Sequence, residues 1–199
     1  MKKIFVLFAL LLMLFQQGMA QVRQTIAVLG DSYSTYEGFI PEDNVIWYYN
    51  PAHTDQTDVT SVEQTWWWQV VKEGGYKLGM INAYSGSTIC NTGYRDEDFT
   101  DRSFVTRANN LGNPDIILIC GATNDSWAGV KMGEYQYEGW KRADLYCFRP
   151  AMAKSVDEVC RHYNVPVIKL KDIDKKSGHP SVKGMKSFAE QVLKVLQNK

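Results

Sequence analysis

Apolar positions along this chain fall into short runs stopped by turn residues, separated by stretches with helical spacing. Ile26 to Leu29 is a β-branched and apolar run ended by Gly30, and it reads as a buried strand. Lys77 to Asn82 reads as a second strand and Asp115-Ile-Ile-Leu-Ile-Cys120 as the clearest buried parallel strand. Val165-Pro-Val-Ile-Lys-Leu170 reads as a short last one. Between them, Ser61 is placed to cap a helix with Glu63 in its first turn, continuing from Thr65 to Lys72 and stopping at Gly74-Gly75. Asp101 is placed to cap another through Leu111, closed by Gly112-Asn-Pro114. Trp140 to Tyr163 has helical character broken at Pro150, which predicts two pieces. Val182, Met185, Phe188, Ala189, Val192, Leu193 and Leu196 keep the three-and-four spacing of an amphipathic closing helix. Strands alternating with helices predict an α/β fold, a parallel sheet covered on both faces.

Two regions lack such a period. Tyr33 to Thr60 is rich in Pro, Asn, Asp and Thr and reads as an excursion above the sheet edge. Loops this long inside a compact domain are usually functional. Trp47-Tyr48-Tyr49 lies within it, able either to stack on sugar rings or to pack the loop onto the body. Gly129 to Gly139 is a further excursion. Trp66, Trp67 and Trp68 are consecutive, so on a helix they fan across more than half its circumference. At least one must face the sheet and one elsewhere. Core packing explains most of the triplet, and a rim contact between Trp66 and a substrate is the other reading.

The amino end changes the picture of where the protein works. Met-Lys-Lys, an apolar run from Ile4 to Phe15 and Gly18-Met19-Ala20 form a basic segment, an apolar segment and a small-x-small cleavage site. Residues 1–20 therefore read as a secretory signal and residues 21–199 as one domain, exported to the periplasm or beyond. The apolar run is short for a bilayer span, so no stable membrane insertion is expected after cleavage. Basic and acidic residues balance at 22 each, and no Lys- or Arg-rich block appears, which gives a nucleic-acid partner no support. Of Cys90, Cys120, Cys147 and Cys160, Cys120 ends an apolar strand and reads as a buried thiol. The spacing does not choose a disulfide pairing. Without a CxxC or Cys/His cluster a structural zinc is not expected, and a metal-dependent site would have to use His53, Asp55 and Asp58.

Ser32, Gly86, Asn124 and His179 all fall in loops that the predicted topology brings to one sheet edge, where ligands of open α/β sheets bind. Acyl transfer from a serine needs a base for the hydroxyl proton and donors for the developing oxyanion. The backbone N–H groups of Ser32 and Gly86 and the amide of Asn124 offer such donors. Of the three histidines, His53 lies in a polar loop and His162 at a helix end, where it complements the dipole. His179 alone combines the active edge with nearby carboxylates.

In this order the residues resemble the SGNH (GDSL-type) hydrolase superfamily over nearly the whole mature chain. Gly30-Asp31-Ser32 matches its first block, Gly86 in Asn82-Ala-Tyr-Ser-Gly-Ser-Thr88 its second, Asn124-Asp125 its third and His179-Pro180-Ser181 its last. The resemblance implies a flavodoxin-like three-layer α/β/α sandwich. It implies Ser32 as nucleophile, His179 as base, and Ser32, Gly86 and Asn124 as oxyanion hole. Three features depart from the family. Ala122 holds the usual glycine place of the third block. Lys176 stands where the last block has its aspartate, which shifts the orienting role to Asp174, with Asp172 or a backbone carbonyl as alternatives. The chain is also one strand-helix unit short.

Together with the export signal and the aromatic loop, the resemblance implies a secreted serine esterase that requires no cofactor or metal and acts on short-chain esters, acetyl first among them, of a small molecule or acetylated carbohydrate. Trp47, Tyr48 and Trp66 are its candidate substrate contacts. The alternatives are a lipase or lysophospholipase of the same superfamily and a non-catalytic carbohydrate-binding protein on a degenerate scaffold. Oligomeric state is not encoded in any pattern here.

Overall fold

A computed structural model describes residues 22–130 and 151–198. The expected signal at residues 1–20, Cys147, most of the Gly129–Gly139 excursion and the first piece of the Trp140–Tyr163 helix lie outside the described residues.

The fold is α/β and grows from one strand. β1 (Thr25–Gly30) lies between β2 (Lys77–Ala83) and β3 (Ile116–Cys120), parallel to both. Its side chains alternate between two apolar layers. Ile26 and Val28 pack with Trp66, Trp67 and Val70 of α1 (Trp66–Glu73) and with Met185, Phe188 and Val192 of α5 (Val182–Gln197). Ala27 and Leu29 pack on the opposite face with Phe104 and Leu111. Each fully buried Val, Leu or Ile contributes about 1.5–3 kcal/mol, so burial on both faces adds to the strand preference of its β-branched residues. The indole of Trp66 stacks on Phe188 with ring centroids 4.4 Å apart, joining α1 to α5.

Register sets where the loops emerge. Gly30 stands opposite both Ala83 and Cys120, so the three carboxyl ends finish level. Asp31 N–H donates to the Cys120 carbonyl at 3.2 Å and Tyr84 N–H to the Gly30 carbonyl at 3.1 Å, extending the ladder into the loops. Short helices follow: α2 (Phe104–Arg107) before β3, α3 (Thr123–Ala128) directly after it, and α4 (Ala151–His162) after Pro150. A hairpin of β4 (Lys175–Lys176) and β5 (His179–Pro180) leads into α5.

Two expectations change. Val165–Leu170 is not a strand among the described residues. Val165 N–H is engaged by the Cys160 carbonyl at the end of α4, and Pro166 has no N–H, so the segment begins without two ladder donors. The sheet is correspondingly short, and Ile119 on β3 is 67% exposed. The second helix starts at Ser103 rather than Asp101 and runs only four residues, because Arg102 holds the Asp101 carboxylate while Ser103 Oγ accepts from Thr106 N–H. Among the described residues no helix is long and apolar enough to cross a membrane. Cys120 and Cys160 are thiols, not disulfide partners.

Candidate active site

The chain leaves β1 through a turn that admits only glycine at its start. A Cβ on Gly30 would lie 2.5 Å from Ser34, because the 3₁₀ turn Ser32–Ser34 folds straight back over the strand end. Asp31 is buried beneath this turn and accepts from Tyr33 N–H at 3.0 Å. Two consecutive tryptophans hold the turn from below, Trp66 Nε1 donating to Ser34 Oγ and Trp67 Nε1 to the Ser34 carbonyl. Thr35 Oγ1 donates to the Ser32 carbonyl at 3.1 Å. Ser32 is thus held on a rigid, 5% exposed ledge.

His179 reaches it from 147 residues away, with Nε2 2.9 Å from Ser32 Oγ. The hairpin that delivers it turns through Ser177 and Gly178, both at positive φ (48° and 78°), the signature of a type I′ turn. This geometry aims the Ser177 carbonyl at His179 Nδ1, 3.1 Å away. A carbonyl can only accept, so Nδ1 carries the proton and the Nε2 lone pair faces the serine hydroxyl. Aromatic rings enclose the imidazole. Trp47 stacks on its face with centroids 3.6 Å apart and planes 12° from parallel, while Tyr33 and Tyr48 meet it edge-on at 5.3 and 6.4 Å. Burial, reinforced by the Lys175 ammonium and opposed by the Ser177 hydrogen bond, holds the imidazole below the ordinary histidine pKa.

The remaining loops converge beside Ser32. Gly86 sits at φ +81°, with open space where a Cβ would stand. Among the described residues, neither its N–H nor that of Ser32 has a backbone partner. Asn124 is buried, its Nδ2 donating to the Ser87 carbonyl at 3.0 Å and its Oδ1 accepting from Tyr94 Oη at 2.9 Å. Those two bonds fix which way the amide points and leave one N–H over. Two backbone N–H groups and one side-chain N–H in these loops are thus not taken up by the hydrogen bonds above. Ala122 adopts φ +85°, the left-handed region where a glycine would be unstrained. The turn into Asn124 is thus kept at a cost of about 1–2 kcal/mol.

Structure and expectation differ over the accessory residues. Asp174 does not touch the imidazole. Its carboxylate accepts from Ser181 Oγ, and its backbone carbonyl accepts from Ser181 N–H, so it fastens the hairpin to the start of α5. Asp172 is exposed. The backbone carbonyl of Ser177 makes the orienting contact. Tyr48 and Trp66 are fully buried, which removes them as substrate contacts: Tyr48 Oη donates to the Pro180 carbonyl and Trp66 serves the core. Trp47 is occupied by His179. His53 stacks on Tyr49, and Asp58 accepts from Val182 N–H, so these loop residues help dock the excursion.

One buried group, Arg107, escaped sequence reasoning, and a second, Asp125, was seen only as part of its block. Arg107 donates to the carbonyls of Gly30, Asn82 and Arg102 and to Ser87 Oγ, joining the ends of β1 and β2 to the Gly86 loop. Burial pulls its guanidinium down to about 10. Asp125 accepts from Ile89 N–H at 2.9 Å and from Cys90 N–H, fastening the same loop to α3. One arginine closing a short helix has no local signature of burial. The Ser-Gly pair before His179, by contrast, was a readable hairpin signal.

The profile of the GDSL-like lipase/acylhydrolase family matches residues 24–158 and 152–196. The crystal structure of a GDSL-like lipase from Bacteroides ovatus is 49% identical, with a TM-score of 0.84, and the match covers 90% of this chain and all of that one. A GDSL-like lipase from Bacteroides uniformis is 46% identical at the same TM-score, over 90% of this chain and 98% of the other. A carbohydrate esterase at 20% identity, covering 90% of this chain and 70% of its own, shares the fold at a TM-score of 0.56. No curated protein matches the sequence.

Proposed function

We propose, from the premise that this chain belongs to the GDSL-like lipase/acylhydrolase family and is an ester-hydrolysing serine hydrolase, that Ser32 and His179 are its nucleophile and base. The observation that carries the assignment is the 2.9 Å contact between Ser32 Oγ and His179 Nε2. In this reading Nε2 takes the hydroxyl proton as Oγ attacks the ester carbonyl. The oxyanion is received by the N–H groups of Ser32 and Gly86 and by the spare Asn124 N–H. The imidazolium then protonates the leaving alcohol, and water, activated by the same nitrogen, releases the acid from the acyl-serine.

We further propose a short acyl group, acetyl in the first instance, carried on a carbohydrate. Support comes from the confined setting of Ser32, 5% exposed and in contact with an imidazole that the Tyr33 and Trp47 rings enclose. The polar, aromatic character of the Tyr33–Thr60 excursion points the same way. The leader at residues 1–20 supports action outside the cytoplasm, with a mature chain starting at Gln21. A longer acyl chain is the second reading, favoured by the description of the 49% identical relative as a lipase.

Purified wild type and Ser32→Ala, assayed on p-nitrophenyl acetate, butyrate and octanoate and on acetylated xylan and pectin, test both levels. Loss of roughly a thousandfold or more in Ser32→Ala supports the nucleophile assignment, and undiminished turnover overturns it. Preference for acetate with release from a polysaccharide supports the substrate class. Preference for octanoate replaces it with the lipase reading.

A further inference from the structure

His179 has no carboxylate on its Nδ1 side, yet the reaction must place a positive charge on its ring. The carbonyl of Ser177 fixes the tautomer but carries no full charge. What lies against the ring instead is the indole of Trp47, 3.6 Å away centroid to centroid and nearly parallel, at stacking distance over the whole imidazole. A π-face bears partial negative charge and attracts a cation, most strongly for tryptophan.

The surroundings show that this placement is built. The backbone N–H of Trp47 donates to Thr35 Oγ1 at 2.9 Å, and that hydroxyl donates to the Ser32 carbonyl, so the segment that carries the indole is tied in register to Ser32. The neighbouring Tyr48 donates to the Pro180 carbonyl, so residues 47 and 48 together grip the His179–Pro180 strand. Trp47 also leaves its buried indole N–H without a partner among the described residues. An unsatisfied buried donor is a cost that leucine or phenylalanine would avoid in a role of simple packing.

We propose that Trp47 is a positioning residue of the reaction, its indole face holding the His179 ring toward Ser32 and stabilising the imidazolium in place of a triad carboxylate. The inference rests on the reading of His179 as base. The proton that leaves Ser32 Oγ resides on Nε2 until the leaving alcohol takes it, and the proton from water passes through the same nitrogen when the acid is released; in both intervals the indole face meets a cation. The other groups facing the ring are the Ser32 hydroxyl, the Tyr33 and Tyr48 phenols and the Lys175 ammonium, which donates to Tyr33 Oη at 2.8 Å. The Asp174 carboxylate stops at Ser181.

The test is site-specific replacement of Trp47 in the full mature chain by mono- to tetrafluorotryptophan, which weakens the π-face while nearly preserving shape. Trp47→Phe serves as an encoded check. kcat/KM on p-nitrophenyl acetate is read as a pH profile, and His179 is titrated by NMR in a Ser32→Ala background. The expected result is a monotonic fall in kcat/KM of roughly tenfold across the series, with Trp47→Phe intermediate. The acidic limb and the NMR titration should both move to lower pH. A flat series, or a fall without movement of the titration, overturns the proposal. His179→Ala measured alongside separates the two claims: full activity there removes the base assignment itself, whereas lost activity with a flat fluorination series removes only the role of Trp47.

Discussion

The two sides of the proposed catalytic edge are held by different kinds of interaction. On the nucleophile side, Ser32, Gly86 and Asn124 leave level strand ends, and buried charged groups knit their loops together. Arg107 alone donates to three carbonyls and a hydroxyl, Asp125 accepts from the Gly86 loop, and Asp31 lies under the serine. On the histidine side no buried charged side chain stands among the described residues. A six-residue hairpin is held by rings, a tyrosine hydroxyl and backbone carbonyls, and the carboxylate of Asp174 just before it is taken up by Ser181. The contrast follows from what each half must do. Donors for an oxyanion must already be fixed when charge develops. The base must remain neutral and polarisable until it accepts a proton.

Substituting Arg107 tests the polar half at its hub. Arg107→Met leaves buried carbonyls of two strands and a loop without a donor, and a loss of about 3–5 kcal/mol in urea unfolding is expected. A loss below about 1 kcal/mol would mean that water takes over these carbonyls and that the hub is dispensable.

Asp31 gives a smaller, pH-dependent signature of the same half. Burial, only partly offset by the Tyr33 hydrogen bond and Arg107, raises its carboxyl from 3.8 to about 7. The folded state then keeps a proton that the unfolded chain has already released, so this contribution is fully present below about pH 4 and lost as pH rises through about 7. Against wild type, Asp31→Asn should gain relative stability over that window, by up to about 4 kcal/mol. Chemical denaturation at a series of pH values reads the difference, and a pH-independent difference would show that Asp31 is ionised in the fold throughout.

The smallest effect is expected on the histidine side. Asp174→Asn should leave kcat/KM on p-nitrophenyl acetate within about fivefold, while loosening the hairpin by about 1–2 kcal/mol through the weakened Ser181 bond. A triad acid replaced by its amide loses on the order of ten-thousandfold, and that outcome would return Asp174 to the imidazole.

Legibility along the chain followed the same division. Strands β1, β2 and β3, the Gly30 turn, the closing helix and the positions of Ser32, Gly86, Asn124 and His179 could all be read beforehand. Val165–Leu170 read equally well as a strand and is not one, because the last turn of α4 and Pro166 withdraw its first donors. Ala122 looked like a departure and instead keeps the left-handed turn under strain. Asp174 was the nearest acid along the chain, but the turn at Ser177 and Gly178 points it to Ser181.

What the sequence determined by itself is whatever a few neighbouring residues decide among themselves: a β-branched run stopped by glycine, a serine after it, a periodic apolar face. Only the tertiary structure decided which serine the imidazole meets and which rings close over it. Those contacts join residues more than a hundred positions apart, Ser32 with His179 and Tyr48 with Pro180. Direction and distance in space settle such pairings, and no local propensity carries either quantity.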